Sequence, residues 1–281
     1  MAMPKEKIAL IAAMEREVRP LIRSWKVRTI EHGGRQYRLF ENALDNGEAA
    51  LICGGIGPEA ARRATEALIC EVSPTRVISV GFAGALDPSL KVGDIFEPRT
   101  VINAADSART EIESGKGILV SSATITGKDQ KTKLAKSYNA NAVDMEAAAV
   151  AQGAETRGVE FAALKAISDA ADFSMPTRME RFVSAAGTFR SAGFAGYVAL
   201  RPWLWGSTIA LARNSAKASR ALCNALVNYL DRETQSHPTL PNASLGSGLN
   251  PMSLQPTNRG TSAGAHTTTS IHPHTQATGK Q

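Results

Sequence analysis

The chain has 281 residues, 43% of them apolar, with a formal net charge of +6. That length suits one large α/β domain with or without an appendage, and no apolar run approaches the roughly 20 residues that span a bilayer. The basic residues are scattered and aromatics make up only 5% of the chain, which argues against a nucleic-acid-binding face. Residues 8–14 (IALIAAM) form a continuous apolar run, the pattern of a strand buried on both faces. Residues 15–25 follow with helical spacing, placing Val18, Leu21, Ile22 and Trp25 on one face. Pro20 is best tolerated if that helix starts near Glu17, with the proline in its first turn. Gly33-Gly34 and Asp45-Asn46-Gly47 read as hairpin turns. Residues 49–53 read as a strand and 54–57 as a turn. Pro58 then opens a helix at its first position, where a missing N–H costs nothing. Residues 76–80 form another buried strand, ending in a Gly81-Phe82-Ala83-Gly84 turn. Residues 118–122, 142–145 and 161–168 are predicted strands, and 147–156 and 207–230 predicted helices. Strand–helix alternation of this kind predicts an α/β sandwich around a buried sheet.

Near Arg232 the composition changes to Ser, Thr, Pro, Gly, Asn, His and Gln, without Phe, Tyr or Trp. Such a stretch buries too little apolar area to offset its ordering entropy. The expected organisation is a domain over 1–232 and a disordered polar tail over 233–281. The start of the chain lacks the features of a secretory signal, so the expected location is cytoplasmic.

Cys53, Cys70 and Cys223 form no CxxC pair, and His32 is the one histidine outside the tail. Neither a structural zinc site, a disulfide framework nor a Ser-His-Asp triad is indicated. Chemistry then falls to carboxylates, hydroxyls and backbone groups, without metal or organic cofactor. Gly54-Gly55-Ile56-Gly57 is not a dinucleotide fingerprint; it suits a close backbone approach to a small ligand, or simply a tight turn. Three acids stand at strand ends: Glu17 just after the first strand, Glu146 after 142–145, and Asp169 after 161–168. Ligands of open α/β sheets sit beyond the carboxyl ends of the strands, so the three can converge on one pocket. Each also has a bland reading, as a helix-capping acid that complements the dipole.

Residues 8–172 resemble the purine nucleoside phosphorylase and nucleosidase superfamily, above all its 5′-methylthioadenosine/S-adenosylhomocysteine nucleosidase branch. The resemblance rests on IALIAAMEREV, CGGIG, VGFAGALDPSLKVGDI, AVDMEAAAVA and AISDAAD, in that order. It implies a three-layer α/β/α sandwich with a central mixed, partly barrel-like sheet, and a homo-oligomer, expected here as a dimer. It implies a purine nucleoside as ligand and a role in methionine salvage. By the same resemblance, Glu17 orients and deprotonates the attacking water. Glu146, with Met145, holds the ribose hydroxyls. Asp169, with Ser168, protonates purine N7. Ile56 and Gly57 lie beside the ribose, Ala83 and Gly84 form the floor near the base, and the Ile125 backbone reads the adenine edge. The chemistry needs such residues. Protonation lets the purine leave neutral while the sugar develops oxocarbenium character, and an acid and a base serve the scissile bond. Phosphorylases of the superfamily place a phosphate-binding arginine where Glu17 stands. A carboxylate there repels phosphate and suits water, although Arg16 and Arg19 keep phosphorolysis open.

Three features depart from that branch. Phe82 stands where a small, usually hydroxyl-bearing residue is expected, and Thr124 where a phenylalanine stacks on adenine. The segment 94–118 is short, which leaves the pocket for the 5′ substituent without its usual cover. Pro202-Trp203-Leu204-Trp205 precedes a helix with Arg213, Lys217 and Arg220 on one face. That helix is either a docking helix with a solvated basic face or an attachment to the inner membrane surface. The combination resembles the hopanoid-associated branch, which implies an adenosine with a large apolar 5′ group as alternative substrate. A nucleoside-binding protein without catalysis is a further alternative, and retention of all three acids argues against it.

Overall fold

The computed structural model describes residues 6–45, 47–175, 178–184 and 187–235. In chain order the first elements are β1 (Glu6–Ala12), α1 (Glu15–Ile22), β2 (Lys26–His32), β3 (Arg35–Leu44), β4 (Gly47–Cys53), α2 (Pro58–Val72) and β5 (Arg76–Ala85). Short strands β6 (Ile95–Phe96), β7 (Thr100–Asn103), β8 (Arg109–Glu111) and β9 (Ile118–Ser121) follow, then α3 (Lys128–Tyr138), β10 (Ala142–Asp144), α4 (Ala147–Glu155) and β11 (Glu160–Asp169). Helices α5 (Ser191–Ala199) and α6 (Trp205–Gln235) end the described chain. None of the described helices is long and apolar enough to cross a membrane.

Strand β1 shows why the sandwich forms. Its side chains alternate between two faces, and both are apolar. Ile8, Leu10 and Ala12 pack with Val18, Leu21 and Ile22 of α1 and with Leu222, Leu226 and Leu230 of α6. Ala9 and Ile11 face the other way, onto Ala61, Ala64 and Leu68 of α2 and Val150 and Ala154 of α4. The result is the expected three-layer α/β/α arrangement. The sheet is mixed, in the order β2-β3-β4-β1-β5-β10-β9-β7-β8, with β11 pairing β5 and β6. β1 runs parallel to β4 and β5, and β11 runs parallel to β5, while β2, β3 and β4 are antiparallel neighbours. The sheet branches at β5 and does not close into a barrel.

Several local expectations change. Gly81-Phe82-Ala83-Gly84 is not a turn: β5 stays extended through it because β11 pairs along its length, as far as Asp169 opposite Gly84. Helix α1 begins at Glu15, so Pro20 lies inside it rather than in its first turn. The Arg16 carbonyl would normally accept the N–H of residue 20, which proline lacks. It accepts the Ser219 hydroxyl of α6 instead, at 3.2 Å. The hairpin at Gly33-Gly34 forms with both glycines at positive φ, as a type I′ connection requires. The last helix runs to Gln235, past the expected boundary at 232. Residues 236–281 of the predicted tail lie outside the described residues, as does Asn46 of the second hairpin turn.

Candidate active site

The three acids arrive from separate strand ends and line one cavity of about 140 Å³. Met145, Ile56, Ala83, Gly84, Ile125 and Ser168 line it too. Gly57 does not face the cavity but serves it: its N–H donates to Glu146 Oε1 at 2.9 Å. Gly57 has φ of +97°, which L side chains rarely adopt, and this conformation directs that N–H. Thr124 is exposed and does not line the cavity, whereas Phe82 does. No lining residue comes from the short segment 94–118.

Glu17 occupies the third position of α1, where the Met14 N–H donates to its Oε2 at 3.4 Å. It therefore caps its helix and faces the cavity at once. Burial pushes its carboxyl up to about 7, against the lowering influence of the Lys165 and Arg16 charges. A carboxyl raised to that value changes protonation near neutral pH.

Glu146 stands at the N-cap of α4, but capping is done by others. Asp144 Oδ2 accepts the Ala147 N–H and Ser121 Oγ the Ala148 N–H, both at 2.9 Å. The Glu146 carboxylate is thereby released toward the cavity. Its carboxyl is raised by burial first and by the Asp144 charge next, while Lys165 opposes both. Asp144 in turn accepts Ser121 Oγ–H at 2.5 Å and pairs with Lys165 at 2.9 Å. Lys165 also donates to Ser79 Oγ at 2.9 Å. This buried lysine is the cation shared by the Glu17 and Glu146 side of the site.

Asp169 ends β11, and no helix follows for it to cap. Ser168 Oγ–H donates to its Oδ1 at 2.6 Å. Its Oδ2 forms a buried ion pair with Lys131 of α3. Gly84 makes room for this arrangement, since a Cβ there would stand 2.8 Å from Asp169 Oδ2 and 3.2 Å from Lys131 Nζ. Around the cavity, the buried Glu17, Asp144 and Asp169 and the half-buried Glu146 thus meet two buried lysines.

The cavity opens outward. Arg16, Phe82, Met179, Leu211 and Ser215 line both the cavity and an adjoining groove of about 650 Å³. The groove adds Phe189 and Phe194 on its apolar side and Arg19, Arg23 and Arg220 on its rim, with no acidic lining residue. The Arg16 guanidinium stacks over the Phe189 ring, 5.5 Å from its centroid. Sequence reading missed Lys131, Lys165 and this groove.

An α/β sheet that gathers three carboxylates at the carboxyl ends of its strands holds the kind of groups that acid–base cleavage of a glycosidic bond uses. The chain belongs to the phosphorylase superfamily, whose family model matches residues 7–122 and 100–192. It is 28% identical over 218 residues to a 5′-methylthioadenosine/S-adenosylhomocysteine nucleosidase of Staphylococcus aureus (strain JH9), covering 66% of this chain and 95% of the relative. Among solved structures, it is similar to the Colwellia psychrerythraea nucleosidase of the same name in complex with adenine. The TM-score there is 0.61 at 21% identity, covering 82% of this chain and 96% of that one. It is also similar to the futalosine hydrolase of Helicobacter pylori, at TM-score 0.58 and 20% identity, covering 80% and 98%.

Proposed function

We propose that this protein hydrolyses the N-glycosidic bond of a 5′-substituted adenosine, giving adenine and the ribosyl product. The observation that carries this reading is the convergence of Glu17, Glu146 and Asp169 from three strand ends on one buried cavity. Glu17 takes a proton from water as the water oxygen bonds to the anomeric carbon. Glu146, oriented by the Gly57 N–H, holds the ribose hydroxyls. The bond to the purine breaks with its electron pair passing to the base, which receives a proton at N7 from the Asp169 side. Water is favoured over phosphate because Glu17 repels an anion, and because the nearby Arg16 guanidinium is engaged over Phe189 on the groove side. Adenine release from methylthioadenosine, assayed with and without phosphate, tests this. Release in phosphate-free buffer is expected, and absolute dependence on phosphate overturns the hydrolytic reading.

The groove favours a second, finer reading: the 5′ substituent is large and apolar. A methylthio group does not fill 650 Å³ of adjoining space. Leu200 (79%), Trp203 (75%), Trp205 and Ile209 are exposed at the start of α6 and in the segment before it, and the same helix carries Arg213, Lys217 and Arg220. Apolar side chains of this size beside cations suit peripheral contact with an anionic lipid surface. Co-sedimentation with phosphatidylglycerol vesicles, lost in Trp203→Ala/Trp205→Ala, is the expected result. Equal behaviour of the variant sinks the membrane contact. The same patch serves equally to bury a homodimer interface, in which case light scattering gives twice the chain mass and vesicles recover nothing.

A further inference from the structure

The ion pair at Asp169 complicates its part in the reaction. A group that protonates the purine needs a source for that proton, and Asp169 is paired inside the protein with a lysine. Lys131 is 2% exposed and Asp169 1%. The ammonium donates to Asp169 Oδ2 and, at 2.7 Å, to the Ala170 carbonyl. Both Asp169 oxygens already accept a hydrogen bond, one from Ser168 and one from Lys131. The donors that face Asp169 from within the protein are thus Lys131 Nζ and Ser168 Oγ.

We infer that Lys131 is the proton reservoir behind Asp169, so that the leaving purine is served by a lysine–aspartate pair rather than by a free carboxylic acid. This rests on the hydrolytic reading above. As the glycosidic bond breaks, its electron pair enters the purine and makes N7 strongly basic. Asp169 then passes a proton to N7 and takes one from Lys131 Nζ. The purine leaves neutral, Asp169 remains a carboxylate and Lys131 is left as the amine. Glu17 meanwhile holds the proton removed from water, and solvent restores both groups after product release. An ammonium is a weaker acid than a carboxylic acid, so it gives its proton to a departing purine anion rather than to the neutral substrate, and proton transfer is tied to bond cleavage. The other charges around the cavity, Glu17, Asp144, Glu146 and Lys165, have hydrogen-bond partners of their own.

Helix α3 shows that the lysine is placed there. Lys131 shares the inward face with Leu134, Ala135 and Tyr138, which pack into an apolar cluster. A lysine at such a position is costly unless paired, and its pairing is with Asp169. The alternative is that Lys131 only anchors Asp169. Two variants of the full chain separate these roles. Lys131→Gln keeps N–H donors for Asp169 and Ala170 but has no proton to give. Lys131→Met removes both. Thermal melting checks that each is folded.

With methylthioadenosine as probe, Lys131→Gln is expected to lower kcat at pH 7.5 by about 100-fold, in the range of a lost general acid. Its activity relative to wild type at the same pH should also rise as pH falls, because Asp169 must now draw its proton from water, and the ratio cancels the protonation of Glu17 that both proteins share. Lys131→Met should behave alike. Turnover within about threefold of wild type in Lys131→Gln overturns the reservoir, as does a lowered turnover with an unshifted pH profile, which marks an anchor. If Lys131→Met does not fold, Lys131→Gln decides alone. If neither variant folds, Lys131 is a structural anchor and the reservoir falls. A wild-type chain that releases no purine sinks the hydrolytic reading and this inference together, whereas an active wild type with unaffected variants sinks only this one.

Discussion

Glu17, Glu146 and Asp169 reach the inner cavity from the ends of β1, β10 and β11, each held by hydrogen bonds to buried neighbours. Arg19, Arg23, Phe194 and Arg220 reach the outer groove from helices α1, α5 and α6. The cavity is built of buried charge on rigid strand ends, while the groove is apolar side chains and solvated cations on helix surfaces. The two share Arg16, Phe82, Met179, Leu211 and Ser215 at their junction. The contrast separates two questions about one enzyme. On the proposed reading, charge fixed on strands governs which bond breaks, because the electrostatics of a developing cation tolerate little displacement. On the same reading, the helix face governs what the nucleoside carries at its 5′ end, because apolar fit tolerates variety.

The largest effect that tests this division is at Asp169. Asp169→Asn keeps the size of the side chain and removes the proton route to N7. Turnover of methylthioadenosine is expected to fall by about 10²–10⁴-fold, with substrate affinity much less affected. Adenine release measured under single-turnover conditions checks this. Near-normal turnover means that the chemistry is not organised around the strand ends as described.

The cavity was legible in the sequence because its residues sit in contiguous blocks at strand ends, where local pattern and topology agree. Glu146 shows the limit: AVDMEA gives its position, but only the fold shows that Asp144 and Ser121 cap α4 in its place. Residues 81–84 were misread because two glycines three apart resemble a turn, and only the long-range pairing with β11 keeps them extended. Lys131 went unnoticed in KDQKTKLAKSY, a helix so rich in charge that its single inward face carries a weak signal. The groove had no local signature, being assembled from three helices and from residues near Met179 and Phe189 that carry no motif.

A thermodynamic effect of intermediate size tests the burial of Glu17. Its folded-state value of about 7, against an ordinary 4.5, means that the native state binds a proton the unfolded chain has already released. The stabilisation is fully present below about pH 4.5 and is lost as pH rises through 7, with a size on the order of 3 kcal/mol. Urea unfolding at intervals from pH 4.5 to 8 should therefore show wild type losing more stability than Glu17→Gln. Glu146 contributes in the same direction, and because the Glu17 charge is one of the causes that raise it, Glu17→Gln lessens that contribution too and widens the difference. Parallel curves mean that Glu17 is solvated, and the cavity loses its claim to a tuned base.

The smallest expected effect probes the groove. Ala212 lines the groove but not the cavity, and it lies on the exposed side of α6. Ala212→Trp fills the groove at little expected cost to the core, since neither side chain is buried there. For an adenosine with a long apolar 5′ chain, kcat/KM should fall about tenfold, which corresponds to roughly 1.4 kcal/mol of lost apolar contact. For methylthioadenosine it should stay within about twofold, because the bond-breaking groups are untouched. Steady-state kinetics on the two substrates gives the ratio directly. An equal loss on both means that groove and cavity act as one pocket, and an unchanged ratio means that the 5′ substituent leaves the site by another route.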